Sequence, residues 1–293
     1  MNDSLLIKEL PHTVEGCLSL IKYYFKESGL QGLRNPRSFL CGVTGLSSCQ
    51  VIACPDTILD DEQRLLLKKA VIRSLNYESI HRICGWRDFY NVRLALSSDT
   101  FEPRPETELL VDSILSFFLS QRGKKKDARI LDLGMGSGAI CLALLKENSF
   151  FEGLGVDISS KALEIARKNA VANGLSKRFS ALQSNWFSSI EGFFDIIVSN
   201  PPYIESAVVD KLGPEVKNFD PVIALDGGPD GLSHYRVIAD GVSRHLSKNG
   251  FCGLEIGYNQ KIDVIRIFED KKLFLVNSFK DYEKNDRILL FCR

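Results

Sequence analysis

The chain has 293 residues, long enough for two domains of ordinary size. Apolar residues make up 44% and charged residues 25%, which excludes a disordered or low-complexity chain. Its 37 basic residues balance 37 acidic ones, with 12 and 11 of them in residues 1–100, so neither part has the excess of a protein that grips a phosphate backbone.

No apolar run reaches the roughly 18 residues that a spanning helix needs. The opening "MNDSLLIKELPHTVEG" carries acidic residues and no apolar signal core, so the expected location is cytoplasmic, with no membrane partner. The eight cysteines are scattered without a C-x-x-C pair, and none of the four histidines stands at zinc-finger spacing. They are expected to be reduced, buried thiols, with no disulfide and no metal. Cys141, Cys252 and Cys292 lie within apolar runs, where a thiol acts as a small hydrophobe.

Residues 1–75 show helical periodicity. In "TVEGCLSLIKYYFKESGL" Val14, Cys17, Leu18, Ile21 and Phe25 recur at three- and four-residue steps, and Gly29 is a candidate C-cap. "DTILDDEQRLLLKKAVIRSL" repeats the pattern with Asp60 or Asp61 as N-cap. The expectation is a small helical docking domain over 1–78. "RICGWRDFYNVRLALSSDT" alternates aromatic and apolar residues around Asp88 and Asn91, consistent with a hairpin linker over 79–103. In "FEPRPETELLVDSIL", Pro105 suits a first helical position, with Glu106 and Glu108 beside the positive helix end.

Strands and helices alternate from residue 129. Strand candidates are 129–134, 152–158, 179–184, 194–200, 250–257, 273–279 and 287–293, with helices in "AICLALLKEN" and "SKALEIARKNAVANG". This alternation predicts an α/β domain over 104–293, with a doubly wound, mainly parallel sheet. Only "KDYEKNDR" separates the last two strands, too short for a parallel crossover, so they are expected to pair antiparallel. The basic run Lys124–Lys126 reads as a solvated loop.

The chemistry sits at strand ends. "ILDLGMGSGAICLALL" is a strand, then Gly134-x-Gly136-x-Gly138, then a helix. The glycines allow a tight turn and close approach of a ligand to backbone N–H groups. Asp132 lies in the strand end before the loop. The next strand ends on Asp157, an acidic side chain placed to accept both ribose hydroxyls of an adenosine; the competing role is an N-cap, which Ser159 or Ser160 can fill. Trp186 follows the third strand and offers a face for adenine, or else a place in the core.

After the fourth strand comes Asn200-Pro201-Pro202-Tyr203, where two prolines end the strand and stiffen the loop. A planar amide or aromatic amine is a poor nucleophile because its lone pair is delocalised. Two fixed acceptors, the Asn200 side-chain oxygen and the Pro201 carbonyl, would orient its NH₂ toward a methyl sulfonium and stabilise growing charge. Tyr203 can pack on the flat face.

The motifs "EPRPETELLVD", "ILDLGMGSGAICLALL", "GVDIS", "NWF", "SNPPYI", "ALDGGPDGLSHYRVI", "LEIGYNQ" and "DYEKNDRILLF" together resemble the PrmC/HemK family, N5-glutamine methyltransferases of peptide chain release factors. The resemblance spans almost the whole chain. It implies a helical domain, a hairpin linker and a class I methyltransferase domain that uses S-adenosyl-L-methionine. The substrate it implies is the glutamine of the Gly-Gly-Gln tripeptide in class I release factors, methylated by a monomer. It further implies cofactor contacts from Gly134, Met135, Gly136, Ser137, Gly138, Asp157, Trp186 and Asn200, with Asn200, Pro201, Pro202 and Tyr203 gripping the substrate amide. Asn185 stands where relatives often carry an acidic residue, and Met135 is bulkier than usual between the glycines.

Arg104 and Glu106 are candidates to flank the methionine part of the cofactor or to form a salt-bridged linker. His234 is read as structural. Two other functions fit parts of the pattern. An adenine-amino methyltransferase of DNA or RNA would use the same Asn-Pro-Pro-Tyr logic but needs a basic face. A non-catalytic adaptor would have no need of the glycine loop, Asp157 and Asn200 together.

Overall fold

The structure, a computed structural model, describes residues 9–30, 32, 34–122 and 127–293; Lys124–Lys126 lie outside them. The chain forms two compact units, dividing after Gly85.

The first unit is helical: α1 (Val14–Glu27), α2 (Pro36–Thr44), α3 (Ser48–Ala53), α4 (Asp61–Leu75) and α5 (Ile80–Cys84). Each start has a cap that satisfies backbone N–H groups lacking a partner. Thr13 accepts from the Gly16 N–H, and Asn35 accepts from Arg37 and Ser38 ahead of Pro36. Asp60, not Asp61, caps α4, in a reciprocal capping box with Gln63. The apolar stripe of α1 buries Val14, Cys17, Ile21 and Phe25, and Phe25 meets Phe39 edge-on at 5.3 Å. Cys49 and Cys54 are exposed, against the expectation of buried thiols, because short α3 has only Val51 buried.

The second unit opens with the hairpin β1 (Trp86–Phe89) and β2 (Val92–Ala95), turning at Tyr90 with φ 45°. It packs on its own unit: the Ala95 N–H donates to Asn169 Oδ1 at 2.8 Å, and the Arg93 N–H to Asn173 Oδ1 at 3.1 Å. Then follow α6 (Pro105–Arg122), β3 (Ala128–Leu133), α7 (Ala139–Glu147), β4 (Phe151–Asp157), α8 (Ser160–Ala172), β5 (Phe179–Gln183) and β6 (Phe194–Ser199). Short α9 (Ser206–Val209) and α10 (Pro214–Lys217) precede α11 (Ser233–His245), β7 (Leu246–Glu255), α12 (Lys261–Glu269), β8 (Phe274–Lys280) and β9 (Asp286–Cys292).

The seven-stranded sheet has the order β5-β4-β3-β6-β7-β9-β8. Its first five strands are parallel, and β9 pairs antiparallel with both β7 and β8, as the short connection requires. Alternation along the strands divides the core. Ile130, Ile196, Val198, Phe251 and Leu290 join a cluster with α6 and α7. Leu131, Ile197, Cys252, Leu289 and Phe291 join one with α11 and α12. The order reverses beside β3, because β4 lies on one side and β6 on the other, which opens a crevice at the carboxyl ends of the strands.

Candidate active site

Four strand ends converge on that crevice. Gly134 follows β3, Asp157 ends β4, Trp186 follows β5 and Asn200 follows β6, and all four line a cavity of about 390 Å³. Met135, Gly136, Ser137, Pro202 and Tyr203 also line it. Gly138 and Pro201 do not. Gly138 starts α7 at φ 82°, and a Cβ there would press on Leu142 and Ala166 at 3.2 and 3.3 Å. Pro201 is buried in the loop.

The glycine loop turns through φ 66° at Gly134 and 55° at Gly136, a region that glycine alone enters without strain. Asp157 braces it: one carboxylate oxygen accepts the Gly136 N–H and the other the Ser159 N–H, each at 2.9 Å. Ser159 caps α8 by accepting from Ala162, so Asp157 is not the helix cap. Met135 tucks inward, only 5% exposed, into space left by Gly155, where a Cβ would fall 2.1 Å from its sulfur. Its sulfur is therefore accommodated over Gly155 while the residue still borders the cavity.

Behind the loop, fully buried Asp132 accepts the Cys141 N–H through Oδ2 at 3.1 Å, while its Oδ1 has no partner. Burial pushes its carboxyl up to about 7, and the Asp157 charge adds to the shift. An orphaned carboxylate oxygen beside a glycine cradle suits a ligand that carries a cationic or N–H group. The residues present thus fit a nucleoside with an amino-acid tail. Among the described residues no cluster of three metal-ligating side chains occurs.

Trp186 adopts φ 52°, and its ring lies 3.7 Å from where a Gly134 Cβ would stand. It leans on His234, with ring centroids 5.1 Å apart. His234 Nε2 lies 3.0 Å from the Asp226 carbonyl, and the ring lines the cavity. Asn185 is an exposed part of the lining. Arg104 lines it too, but its guanidinium is committed to buried Asp220 at 2.6 Å, the salt-bridge alternative.

The loop after β6 is held from three directions. The Ser199 hydroxyl donates to the Leu133 carbonyl at 2.7 Å, tying it to the glycine-loop strand. Residues 204 and 226 form a parallel bridge, with the Ile204 N–H donating to Leu225 and the Gly227 N–H to Ile204. Gln260 Nε2 donates to the Tyr203 carbonyl at 2.9 Å and to that of Gly231 at 3.2 Å. The "DGGPDG" segment, whose residue types carry no evident chemistry, thus acts by close approach. A Cβ on Gly227 would lie 2.8 Å from the Tyr203 backbone, and one on Gly231 2.6 Å from its carbonyl oxygen.

Asn200 Nδ2 donates to the Thr107 hydroxyl at 3.1 Å, which donates to Glu255 Oε2 at 2.7 Å. The Tyr203 hydroxyl lies 3.5 Å from Glu255 Oε1, and the Tyr235 hydroxyl donates to the Glu255 carbonyl at 3.0 Å. Burial pushes the Glu255 carboxyl up to about 7, against the opposing pull of the Thr107 bond and Arg287. Burial likewise raises the Tyr203 phenol, so it stays a neutral donor. Sequence reasoning missed Thr107, Glu255 and Gln260. The one available signal was a carboxylate inside the apolar run "GFCGLEIG".

Residues 108–213 match the family model described as Methyltransferase small domain. A protein named release factor glutamine methyltransferase from Agrobacterium fabrum is 48% identical over 261 residues, covering 89% of this chain and 90% of its own. One of the same name from Rhodospirillum rubrum is 41% identical over 266 residues, covering 90% and 80%. Among solved structures, a methyltransferase from Pyrococcus furiosus superposes with a TM-score of 0.52 at 18% identity, over 75% of this chain and 97% of its own, which speaks to fold alone. With the class I methyltransferase fold and relatives this similar over nine-tenths of its length, the chain belongs to the release factor glutamine methyltransferase family.

Proposed function

We propose that this protein methylates the side-chain amide nitrogen of the glutamine in the Gly-Gly-Gln tripeptide of class I peptide chain release factors, with S-adenosyl-L-methionine as donor. The observation that carries the reading is Asn200, an amide anchored by its nitrogen beside the glycine loop, in a chain whose relatives bear that name.

Gly134, Met135, Gly136 and Ser137 would hold the cofactor, with Gly138 shaping the start of α7, Asp157 at the ribose, Trp186 at the base and the buried Asp132 carboxyl behind the loop. When bound, S-adenosyl-L-methionine supplies a methyl group on a positively charged sulfur. Asn200 Oδ1 would accept one N–H of the glutamine amide and the Pro201 carbonyl, the only part of that buried residue called on, would accept the other, which aims the nitrogen lone pair. Pro202 and Tyr203 form the flat wall. As the methyl group passes to nitrogen and the sulfur departs as a neutral thioether, the two acceptors would stabilise positive charge on nitrogen until one of its protons is released to solvent water. The apolar walls from Leu212, Val216, Pro221 and Ile223 limit competing water.

Glycine neighbours let the substrate backbone come close, and the helical domain over 1–78 would supply the release-factor docking that one small amide cannot. The enzyme is read as a cytoplasmic monomer that does not engage nucleic acid; among the described residues no helix is long and apolar enough to cross a membrane. The test is to incubate enzyme and labelled cofactor with a release factor, with its Gln→Ala variant at the tripeptide, and with single- and double-stranded nucleic acid. Label confined to the intact release factor is expected. Label in nucleic acid, or retained in the Gln→Ala variant, overturns the reading.

A further inference from the structure

An amide side chain has two ends of similar size and opposite hydrogen-bonding character, so its orientation is decided by its partners. Asn200 Nδ2 donates to the Thr107 hydroxyl at 3.1 Å, and the Asn200 side chain also hydrogen-bonds the Glu255 carboxylate. A hydroxyl has one proton to give, and Thr107 gives it to the Glu255 carboxylate at 2.7 Å. An ionised carboxylate can only accept. The lone pairs of Thr107 are then what faces Asn200, and only the NH₂ end of the amide can satisfy them. Both partners are buried, Thr107 at 3% exposure where it borders the cavity and Glu255 at 2%, so the pair competes little with solvent for the choice.

We propose that Glu255 and Thr107 are positioning residues that fix the Asn200 amide with its oxygen toward the cavity, making it an acceptor for the substrate NH₂. A flipped amide would present a donor to two donor hydrogens and would repel the group it has to hold. The consequence is a division of labour across the fold. Thr107 comes from the first turn of α6, Glu255 from the end of β7 and Asn200 from the loop after β6. Only the last touches substrate. Tyr203, whose hydroxyl faces the other Glu255 oxygen at 3.5 Å, shares the same anchor, so the acceptor and the flat wall are set by one carboxylate.

The inference rests on the proposed glutamine chemistry for its catalytic consequence, but the orientation can be read without turnover. In the full-length protein with ¹⁵N-labelled asparagine at pH 8, the Asn200 side-chain NH₂ should show nuclear Overhauser contacts to the Thr107 methyl group and slow exchange with water. Thr107→Ser keeps the hydroxyl and should keep slow exchange, with turnover on release factor within about threefold of wild type. Thr107→Val keeps the shape and loses the hydroxyl. It should exchange fast and lose roughly tenfold or more in kcat, while KM for the cofactor stays within about twofold. A purely packing role would be served better by valine than by serine, so the reverse ranking overturns the proposal. Absence of the contact in wild type overturns it directly, even if Thr107→Val fails to fold. Slow exchange in an enzyme that leaves release factor unlabelled would keep the orientation and refute the substrate.

Discussion

Asp157 accepts the Gly136 N–H at 2.9 Å, so the residue proposed to meet a ribose also holds the loop that would meet the rest of the cofactor. Its second oxygen is taken by Ser159, yet each carboxylate oxygen has a further lone pair to offer. Asp157→Ala should weaken S-adenosyl-L-methionine binding by about 1.5–3 kcal/mol, the range for charge-assisted hydrogen bonds. Asp157→Asn can still accept one backbone N–H and should lose less. Titration calorimetry checks both, and unchanged affinity in the alanine variant would sink the ribose assignment.

Met135 and Gly155 should be coupled in the same way. Gly155→Ala drives a methyl group into the Met135 sulfur and to within 3.3 Å of Phe179, overpacking that typically costs about 1–3 kcal/mol. Adding Met135→Ala opens the space again. The double variant should therefore be more stable than the sum of the single changes implies, and urea unfolding of all four proteins measures the coupling. Strict additivity would mean that the methionine relaxes at no cost.

The parts of this site that are legible from sequence are those whose cause is local. Glycines at 134, 136 and 138 and prolines at 201 and 202 restrict their own backbones, and strand-end position follows from the apolar period. Strand-end position alone therefore sets Asn200 and Trp186 beside the loop. Thr107 and Glu255 are 148 residues apart, and only the packing of α6 on β7 brings them together. The segment 226–231 was opaque for a related reason: its glycines matter through Tyr203, a distant residue that they approach. Boundaries failed where the pattern breaks. β7 begins at Leu246 rather than Gly250, because Leu246 pairs with Phe194 across a register shift that the polar "SKN" conceals.

Gly231→Ala tests that close approach. Its Cβ would meet the Tyr203 carbonyl oxygen and Gln260 Nε2, each at 2.6 Å, at a φ of 70° that side chains disfavour. The strain falls on the loop that carries Asn200, away from the glycine loop. Turnover should fall roughly 10²-fold, as for an ångström-scale misplacement, while cofactor affinity stays within about twofold. Equal loss of both would place the damage elsewhere.

Asn200→Ala removes the acceptor itself while the prolines keep the loop's path. Loss of one preorganised hydrogen-bonding group costs about 10²–10³ in rate, here expected in kcat on release factor with unfolding temperature little changed. Asn200→Asp keeps an oxygen toward the substrate but sets a second carboxylate close to Glu255. It should therefore recover only part of the activity. A fall of less than several-fold in the alanine variant would show that the amide grip is wrong.

The raised Glu255 carboxyl gives activity and stability opposite dependences on pH. Its carboxyl sits at about 7 in the fold against an ordinary 4.5, with burial as the leading cause, Glu106 raising it further and Arg287 pulling it down. Tyr203 and Tyr235 also face it, and burial keeps both phenols neutral through this range. Below about 7 the carboxyl is protonated and can donate to Thr107, which frees that hydroxyl to turn its proton on Asn200 and admits the flipped amide. Turnover should therefore rise as pH rises through about 7. Stability should move the other way. Between about 4.5 and 7 the folded state holds a proton that the unfolded chain has released, so folding weakens with rising pH and levels off above 7. Asp132, also raised to about 7, adds the same slope, so the contribution of Glu255 is read by difference. Glu255→Gln should show a flatter pH–kcat profile, and a stability that gains on wild type between pH 5 and pH 8. Parallel pH profiles of kcat and of urea midpoint for the two proteins decide it. Identical slopes in both would show that Glu255 does not titrate in this window.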